Sequence, residues 1–262
     1  MGQSAGAFIE DLLACGRRTF TRKEAGAALG SSPEATYLAL HRLARRGRVA
    51  MPRRGFYLIV EPQHRAVGAP PPASWIGDLM RFLEARYYVG LLSAAALHGA
   101  AHQQPQELQV VAGKVLRPVV VGRARIRFFF RGDMRAAATQ ETKTAGGTLR
   151  VSTPETTAYD LVRYRDAASI DHVATVISEL AERMGAERLG AVVRRHREVP
   201  VVQRLGYLLD HAGRSDLAAP LERFARSARL KTVPLEPGSA ERVLRRDGKW
   251  RVDVNAVVEV EA

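Results

Sequence analysis

His98 and His102 stand four residues apart, the spacing at which one helix face can present two imidazoles to a metal ion. The zinc-protease pattern also needs a glutamate directly after the first histidine, and Gly99 is there instead. No cysteine or carboxylate nearby completes a coordination sphere, so the pair reads as the polar end of an alanine-rich helix and no metal is expected. Gly238-Ser239 has the glycine-serine pair of a nucleotidyltransferase, but that chemistry needs closely spaced metal-binding acids on the following strand. Glu241 is isolated, and Asp253-Val254-Asn255 lacks the second acid. Glu259 and Glu261 form an E-x-E, yet a nuclease of the PD-(D/E)xK type needs a lysine two residues further on, and the sequence reaches only Ala262. There is no P-loop, no GxSxG and no GxGxxG after a strand, and Ser93 and Ser152 have no evident base close by in sequence. No catalytic residue and no cofactor are expected.

The chemistry that the residues favour is the binding of an anionic partner. The formal net charge is +13 and the sequence pI about 10.6, which favours nucleic acid or an acidic protein. A coding bias toward arginine and alanine would raise the charge evenly. Here residues 1–65 hold 11 Lys and Arg against 5 Asp and Glu, and the other 197 hold 29 against 22. Net positive charge, +6 over 65 residues against +7 over 197, is thus about three times denser in the first quarter, as a localised footprint requires.

The elements that must position those charges lie between Arg17 and Val60, RRTFTRKEAGAALGSSPEATYLALHRLARRGRVAMPRRGFYLIV. A helix over Gly6–Ala14 precedes them, with Phe8, Ile9, Leu12 and Leu13 apolar and Gly16 at its end. Cys15 extends that stripe and is expected to be a buried structural thiol; as the single cysteine it excludes an internal disulfide. Thr21-Arg22-Lys23-Glu24 fits a capping box, and Gly30 supplies the turn after the helix it opens. Ser32 as N-cap, Pro33 at the first position and Glu34 in the first turn open a second helix running to about Arg46, with Gly47 beyond it. Thr36, Leu40 and Leu43 fall on its inner face. Val49-Ala50-Met51 then begins a strand, Pro52 to Gly55 turns the chain, and Phe56–Ile59 returns it, with Arg53 and Arg54 at the tip. This order is a winged helix-turn-helix. Its second helix is expected in the major groove of double-stranded DNA, with Ser32, Pro33, Glu34, Ala35, Tyr37, Leu38 and His41 near base edges. Arg42, Arg45 and Arg46 suit phosphates, and Arg53 and Arg54 suit the backbone or the minor groove.

The remainder is longer. Residues 1–65 are read as the winged helix, 66–74 as a linker whose Pro70-Pro71-Pro72 is stiff and extended, and 75–262 as a larger domain. Helices are expected over about 74–85 (buried stripe Trp75, Ile76, Leu79, Phe82, Leu83), 91–101, from Pro154, and over 169–183, 186–196, 201–212 and 215–228. Strands are expected at 108–111, 119–121, 126–130 and 149–151, with a final hairpin turning at Asp247-Gly248. The fold class is α+β. No secretory signal and no apolar run of 18 residues is present, so the expected location is the cytoplasm.

Several stretches, in this order, carry a family resemblance. RGFYLI ends the wing, LLSAAALHGAAHQQPQELQVV and LRVSTPETTAYDLVRY follow, and KWRVDVNAVVEVE lies near the end. Together they resemble the AbiEi-type antitoxins of type IV toxin–antitoxin systems over most of the chain. The resemblance implies an autorepressor that binds inverted repeats in its own promoter through the winged helix, a monomer in solution that binds cooperatively on DNA. It implies a C-terminal domain needed for antitoxin action and a nucleotidyltransferase-like toxin encoded nearby. Its DNA-contacting elements map to Pro33–Arg46 and to Arg53-Arg54, and no catalytic residue carries over. Two other readings of the residues remain: an enzyme, nuclease or nucleotidyltransferase, that a winged helix targets to DNA, and a module that binds an acidic protein.

Overall fold

Capping chemistry fixes the first elements. In the computed structural model, which describes residues 2–100, 105–144, 147–239 and 242–258, helix α1 (Ala5–Ala14) starts where Ser4 Oγ accepts the Ala7 N–H at 3.1 Å. After strand β1 (Thr19–Thr21), Thr21 Oγ1 accepts the Glu24 N–H at 3.2 Å while the Glu24 carboxylate accepts the Thr21 N–H at 2.7 Å. Helix α2 (Arg22–Leu29) therefore begins with both reciprocal bonds made, and Gly30 ends it in the left-handed region at φ 60°. Helix α3 (Pro33–Arg45) follows, then strands β2 (Val49–Arg53) and β3 (Phe56–Ile59), in a sheet ordered β1-β3-β2 with both pairings antiparallel. Phe8, Phe20 and Tyr57 form its aromatic centre, Phe20 stacked on Tyr57 at 5.3 Å and edge-on to Phe8 at 5.2 Å.

Two local expectations change. Strand β2 does not stop at Met51 but runs through a buried Pro52 to Arg53, because a register shift between Ala50 and Arg53 removes the need for a proline N–H. Cys15 is exposed: α1 closes at Ala14, so the thiol sits on the C-cap and leaves the apolar stripe.

The segment after β3 is not an extended spacer. It winds into 3-10 turns at Pro62–His64 and Pro72–Ser74 and lies against the larger unit. The buried Trp75 indole needs an acceptor and donates to the Pro70 carbonyl at 3.0 Å. Val67 O accepts the Arg123 N–H at 2.8 Å, an approach so close that a Cβ on Gly122 would lie 2.2 Å from that oxygen.

The larger unit is built on six strands: β4 (Tyr87–Val89), β5 (Leu108–Ala112), β6 (Val119–Val121), β7 (Ala124–Phe130), β8 (Thr139–Thr144) and β9 (Gly147–Ser152). Their order is β6-β7-β5-β4-β9-β8, with β4–β9 and β5–β7 parallel and the other pairs antiparallel. Strand β8, TQETKT, was not expected, since it has no apolar residue and earns its place through an edge ladder to β9. On one face lie α5 (Leu91–Leu97), α6 (Pro154–Arg163), α7 (Ile170–Ala181), α8 (Ala186–His196), α9 (Val199–His211) and α10 (Ser215–Arg226). Helix α5 is shorter than the expected 91–101, because Gly99 turns out of it at φ 72°. Three short strands, β10 (Val233–Pro234), β11 (Arg245–Asp247) and β12 (Val252–Val254), close this lobe. Their hairpin turns more widely than Asp247-Gly248 alone, since Asp247 accepts the Trp250 N–H at 2.7 Å. The architecture is α+β.

On the sheet's other face, helix α4 (Ile76–Phe82) packs with the wing. Phe56 and Leu58 of β3 share one apolar cluster with Trp75, Ile76, Leu79, Val110 and Ile126, whereas Tyr57 and Ile59 face the N-terminal helices. Phe82, expected in the buried stripe, is 37% exposed and lies instead at the seam, 5.3 Å from the Phe56 ring. Polar bonds cross the same seam: Thr19 Oγ1 donates to Asp78 at 2.6 Å. Burying Phe56 and Leu58 contributes about 1.5–3 kcal/mol each, more than an exposed ion pair's ~0–1 kcal/mol, so apolar contact holds the two units together.

A shared core predicts shared unfolding. Leu58→Ala and Leu79→Ala, on opposite sides of the seam, should each cost about 2–5 kcal/mol, and urea denaturation should remain one transition by circular dichroism and by tryptophan fluorescence. Two separated transitions in the wild-type protein would contradict the shared core.

Candidate nucleic-acid interface

Helix α3 divides its residues by face. Thr36, Leu40 and Leu43 are buried against the other two helices, and Glu34, Ala35, Tyr37, Leu38, His41, Arg42, Arg45 and Arg46 are exposed. Ser32 and Pro33 are exposed at its start, with the Ser32 hydroxyl already committed to the Ala35 N–H at 3.2 Å. Tyr37 and His41, one turn apart, stack with ring centres 6.0 Å apart and planes 21° from parallel. Arg42 and Arg45 occupy the last turn, where the helix dipole favours cations, and Arg46 is the C-cap. Among the described residues, Arg48 alone of the arginines from 42 to 54 has a carboxylate partner, Glu10 at 3.3 Å. The others present uncompensated charge.

The two wing arginines part company. Arg54 lies in the tight turn with Gly55, which takes φ 86°, and it is exposed. Arg53 is the last residue of β2, half-buried, and its guanidinium donates across the seam to the carbonyl of Arg117. Burial, followed by the charge of Arg117, holds the Arg53 pKa below its ordinary value. Arg53 is thus tied to the larger unit.

Three further residues belong to this face. Met51 on β2 is 48% exposed, and Tyr37 and Leu38 on α3 are 49% and 53% exposed, so the unit that carries the unpaired arginines also presents large apolar side chains. Such groups can meet thymine methyls in a major groove. Arg22 and Lys23 are exposed on the first turn of α2, and the Arg22 N–H donates to the Gly55 carbonyl of the wing turn at 2.9 Å. That places two cations and a helix N-terminus next to Arg54, a setting that suits a phosphate. Their signal in the sequence was the capping box itself.

The residues considered for catalysis have other partners. His98 is buried, with Nε2 2.7 Å from the Ser152 carbonyl; His102 lies outside the described residues. Asp253 pairs with Arg246 at 2.6 Å, and Asn255 bonds the Glu236 backbone through both amide atoms at 2.9 Å. Glu241, Glu259 and Glu261 lie outside the described residues. Among the described residues, no group of three His, Cys, Asp or Glu could hold a metal ion, and no helix is long and apolar enough to cross a membrane.

The densest polar cluster is deep in the larger unit. Asp160 on α6 is fully buried, accepts the Tyr88 hydroxyl at 2.6 Å and pairs with Arg131, which in turn donates to His196 Nδ1 at 2.9 Å. Burial works against the Arg131 charge, but Asp160 and then Tyr88 more than offset it and raise its pKa. His196, stacked on Tyr159 at 4.9 Å, is pushed down to about 4 by burial and then by Arg131. It is a neutral acceptor for the guanidinium. The cluster joins β4, the residue that follows β7, α6 and α8.

Two family models match this chain. Residues 8–60 match the family described as "Transcriptional regulator, AbiEi antitoxin", and residues 88–211 match the "AbiEi antitoxin C-terminal domain". No curated protein matches the chain. Among solved structures, the RV2827C protein from Mycobacterium tuberculosis is similar in fold, with a TM-score of 0.69 and 16% identity over 95% of this chain and 90% of that one. An antigenic nucleotidyltransferase-like protein from Paracoccidioides brasiliensis aligns at a TM-score of 0.32 and 11% identity, over 57% of this chain and 90% of that one.

The state of His196 gives a pH prediction. Its folded pKa lies below the ordinary 6.5, so below that value the unfolded chain binds more protons. Stability from this group should be complete above about pH 6.5 and lost as pH falls toward about 4. His196→Gln should flatten that part of the melting-temperature profile; an unchanged slope would mean that His196 is not held neutral.

Proposed function

The chain belongs to the AbiEi antitoxin family of DNA-binding transcriptional regulators, and on that premise we propose that it represses its own operon by binding inverted repeats in the promoter. The observation that carries this reading is the exposed face of α3, where Tyr37, Leu38 and His41 are followed by arginines that have no carboxylate partner among the described residues. Arg42, Arg45, Arg46 and Arg54 hold phosphates, and Tyr37 and His41 meet base edges. Ser32, Pro33 and Glu34 lie nearest the groove floor, with Ser32 setting the helix start and Glu34 able to accept from a cytosine amine. Arg53 acts one step removed, by fixing the wing to the larger unit.

The protein acts by binding, without catalysis of its own. Support comes from the engagement of its best-placed carboxylates, Asp160 with Arg131, Asp253 with Arg246 and Glu155 with Arg188. The family relationship extends the proposal to a toxin partner of nucleotidyltransferase type.

Titrating the purified protein with its own upstream duplex over a range of salt concentrations tests the proposal. Arg45→Ala and Arg54→Ala should weaken all sequences alike and each lower the salt slope by about 1. Tyr37→Ala and His41→Ala should leave the slope alone and reduce the preference for the cognate duplex by about 1–3 kcal/mol. Absence of binding at low salt would refute the repressor reading; identical behaviour of both pairs would refute the division of roles.

A further inference from the structure

Between Glu107 and Asp133 the chain carries six Lys and Arg and no acid. Three of the six are already engaged. Arg131 is in the buried pair with Asp160, Arg127 leans toward Glu107 and Asp166 at 3.8 and 3.9 Å, and Lys114 donates to the Leu83 carbonyl at 2.9 Å. The rest are Arg117, Arg123 and Arg125, all exposed and, among the described residues, without a carboxylate partner.

Arg123 and Arg125 sit on the β6–β7 hairpin at the edge of the six-stranded sheet and Arg117 two residues before it, and that edge lies along β2 of the wing. Both ends of the hairpin are tied to the N-terminal half of the chain. At one end the Arg117 carbonyl receives Arg53, next to the wing turn that carries Arg54; at the other the Arg123 N–H donates to Val67. The apolar core beneath, with Phe56 and Leu58 on one side and Ile126 and Val119 on the other, leaves the hairpin little freedom to move relative to α3. The Arg117 charge already bears on Arg53, so like charges are held together with, among the described residues, no carboxylate paired to either. Such an arrangement costs the free protein stability, and an anion spanning the wing and the hairpin would relieve it.

We propose that the β6–β7 hairpin is a second DNA-backbone contact, in which Arg117, Arg123 and Arg125 take phosphates beyond the wing. This rests on the repressor reading and deepens it. The larger unit then lengthens the footprint of each protomer, adding affinity without sequence preference. Because the hairpin and α3 are held in one body, the extra phosphates fall at a fixed distance from the half-site.

The test uses the full-length protein and two duplexes, its own upstream region and an unrelated sequence of equal length. Combined substitution of Arg117, Arg123 and Arg125 by alanine should lower the salt slope by about one to three units on both duplexes, as loss of one to three phosphate contacts requires. The ratio between the two affinities should stay within about two-fold, and the melting temperature should hold because all three side chains are exposed. Lysine at the same positions should restore most of the slope. In hydroxyl-radical footprints the alanine variant should lose protection on the wing side of the half-site only. An unchanged slope in a protein that still loses slope on Arg54→Ala would overturn this proposal alone, assigning the arginines to guarding a sheet edge. A wild-type protein that binds neither duplex would overturn the repressor reading with it.

Discussion

One strand holds the molecule together. All four residues of β3, Phe-Tyr-Leu-Ile, are buried, alternately toward two different cores. Tyr57 and Ile59 complete the packing of the three N-terminal helices, and Phe56 and Leu58 complete the face of the six-stranded sheet. A free wing would need only one of those sets. Because side chains alternate across a strand, each core fixes the register of the other, and the wing cannot slide by one residue without exposing both. The seam bond beside it, Thr19 to Asp78 at 2.6 Å, adds direction to a contact whose energy is apolar.

That constraint sorts the arginines. Charges on α3 and on the wing turn are exposed and, among the described residues, have no carboxylate partner, while Arg53, the last residue of β2, is drawn into the seam by the Arg117 carbonyl. Sequence adjacency had made Arg53 and Arg54 equivalent. The pleat separates them, because neighbouring residues at a strand end cannot both face solvent when one side is packed. The linker follows the same logic: its prolines favour extension, but the buried Trp75 indole and the hairpin backbone needed acceptors that Pro70 and Val67 supply.

A second constraint lies at the far side of the sheet. Asp160 and Arg131 are taken out of water together, and such a pair is sustained only when its remaining donors and acceptors are met. Tyr88 and a neutral His196 meet most of them, from elements far apart in the chain. The result is a polar tie on the side of the sheet opposite the wing.

The sequence by itself determined the local elements of the N-terminal unit, because their signals are local. The Thr21–Glu24 capping box, the Ser32-Pro33-Glu34 start and the Gly30 turn each satisfy backbone groups within a few residues. The inner face Thr36, Leu40, Leu43 and the helices from Pro154 to Arg226 were legible from spacing for the same reason. Four other features waited for the tertiary structure: a polar strand, β8, held by its ladder; Phe82 at the seam; Cys15 outside the core; and the inward turn of Arg53. Each depends on what packs from a distant part of the chain. The uninterrupted apolar run at 56–59 was the one local hint that the wing has two faces to bury, and only the sheet folded against it reveals what covers the second.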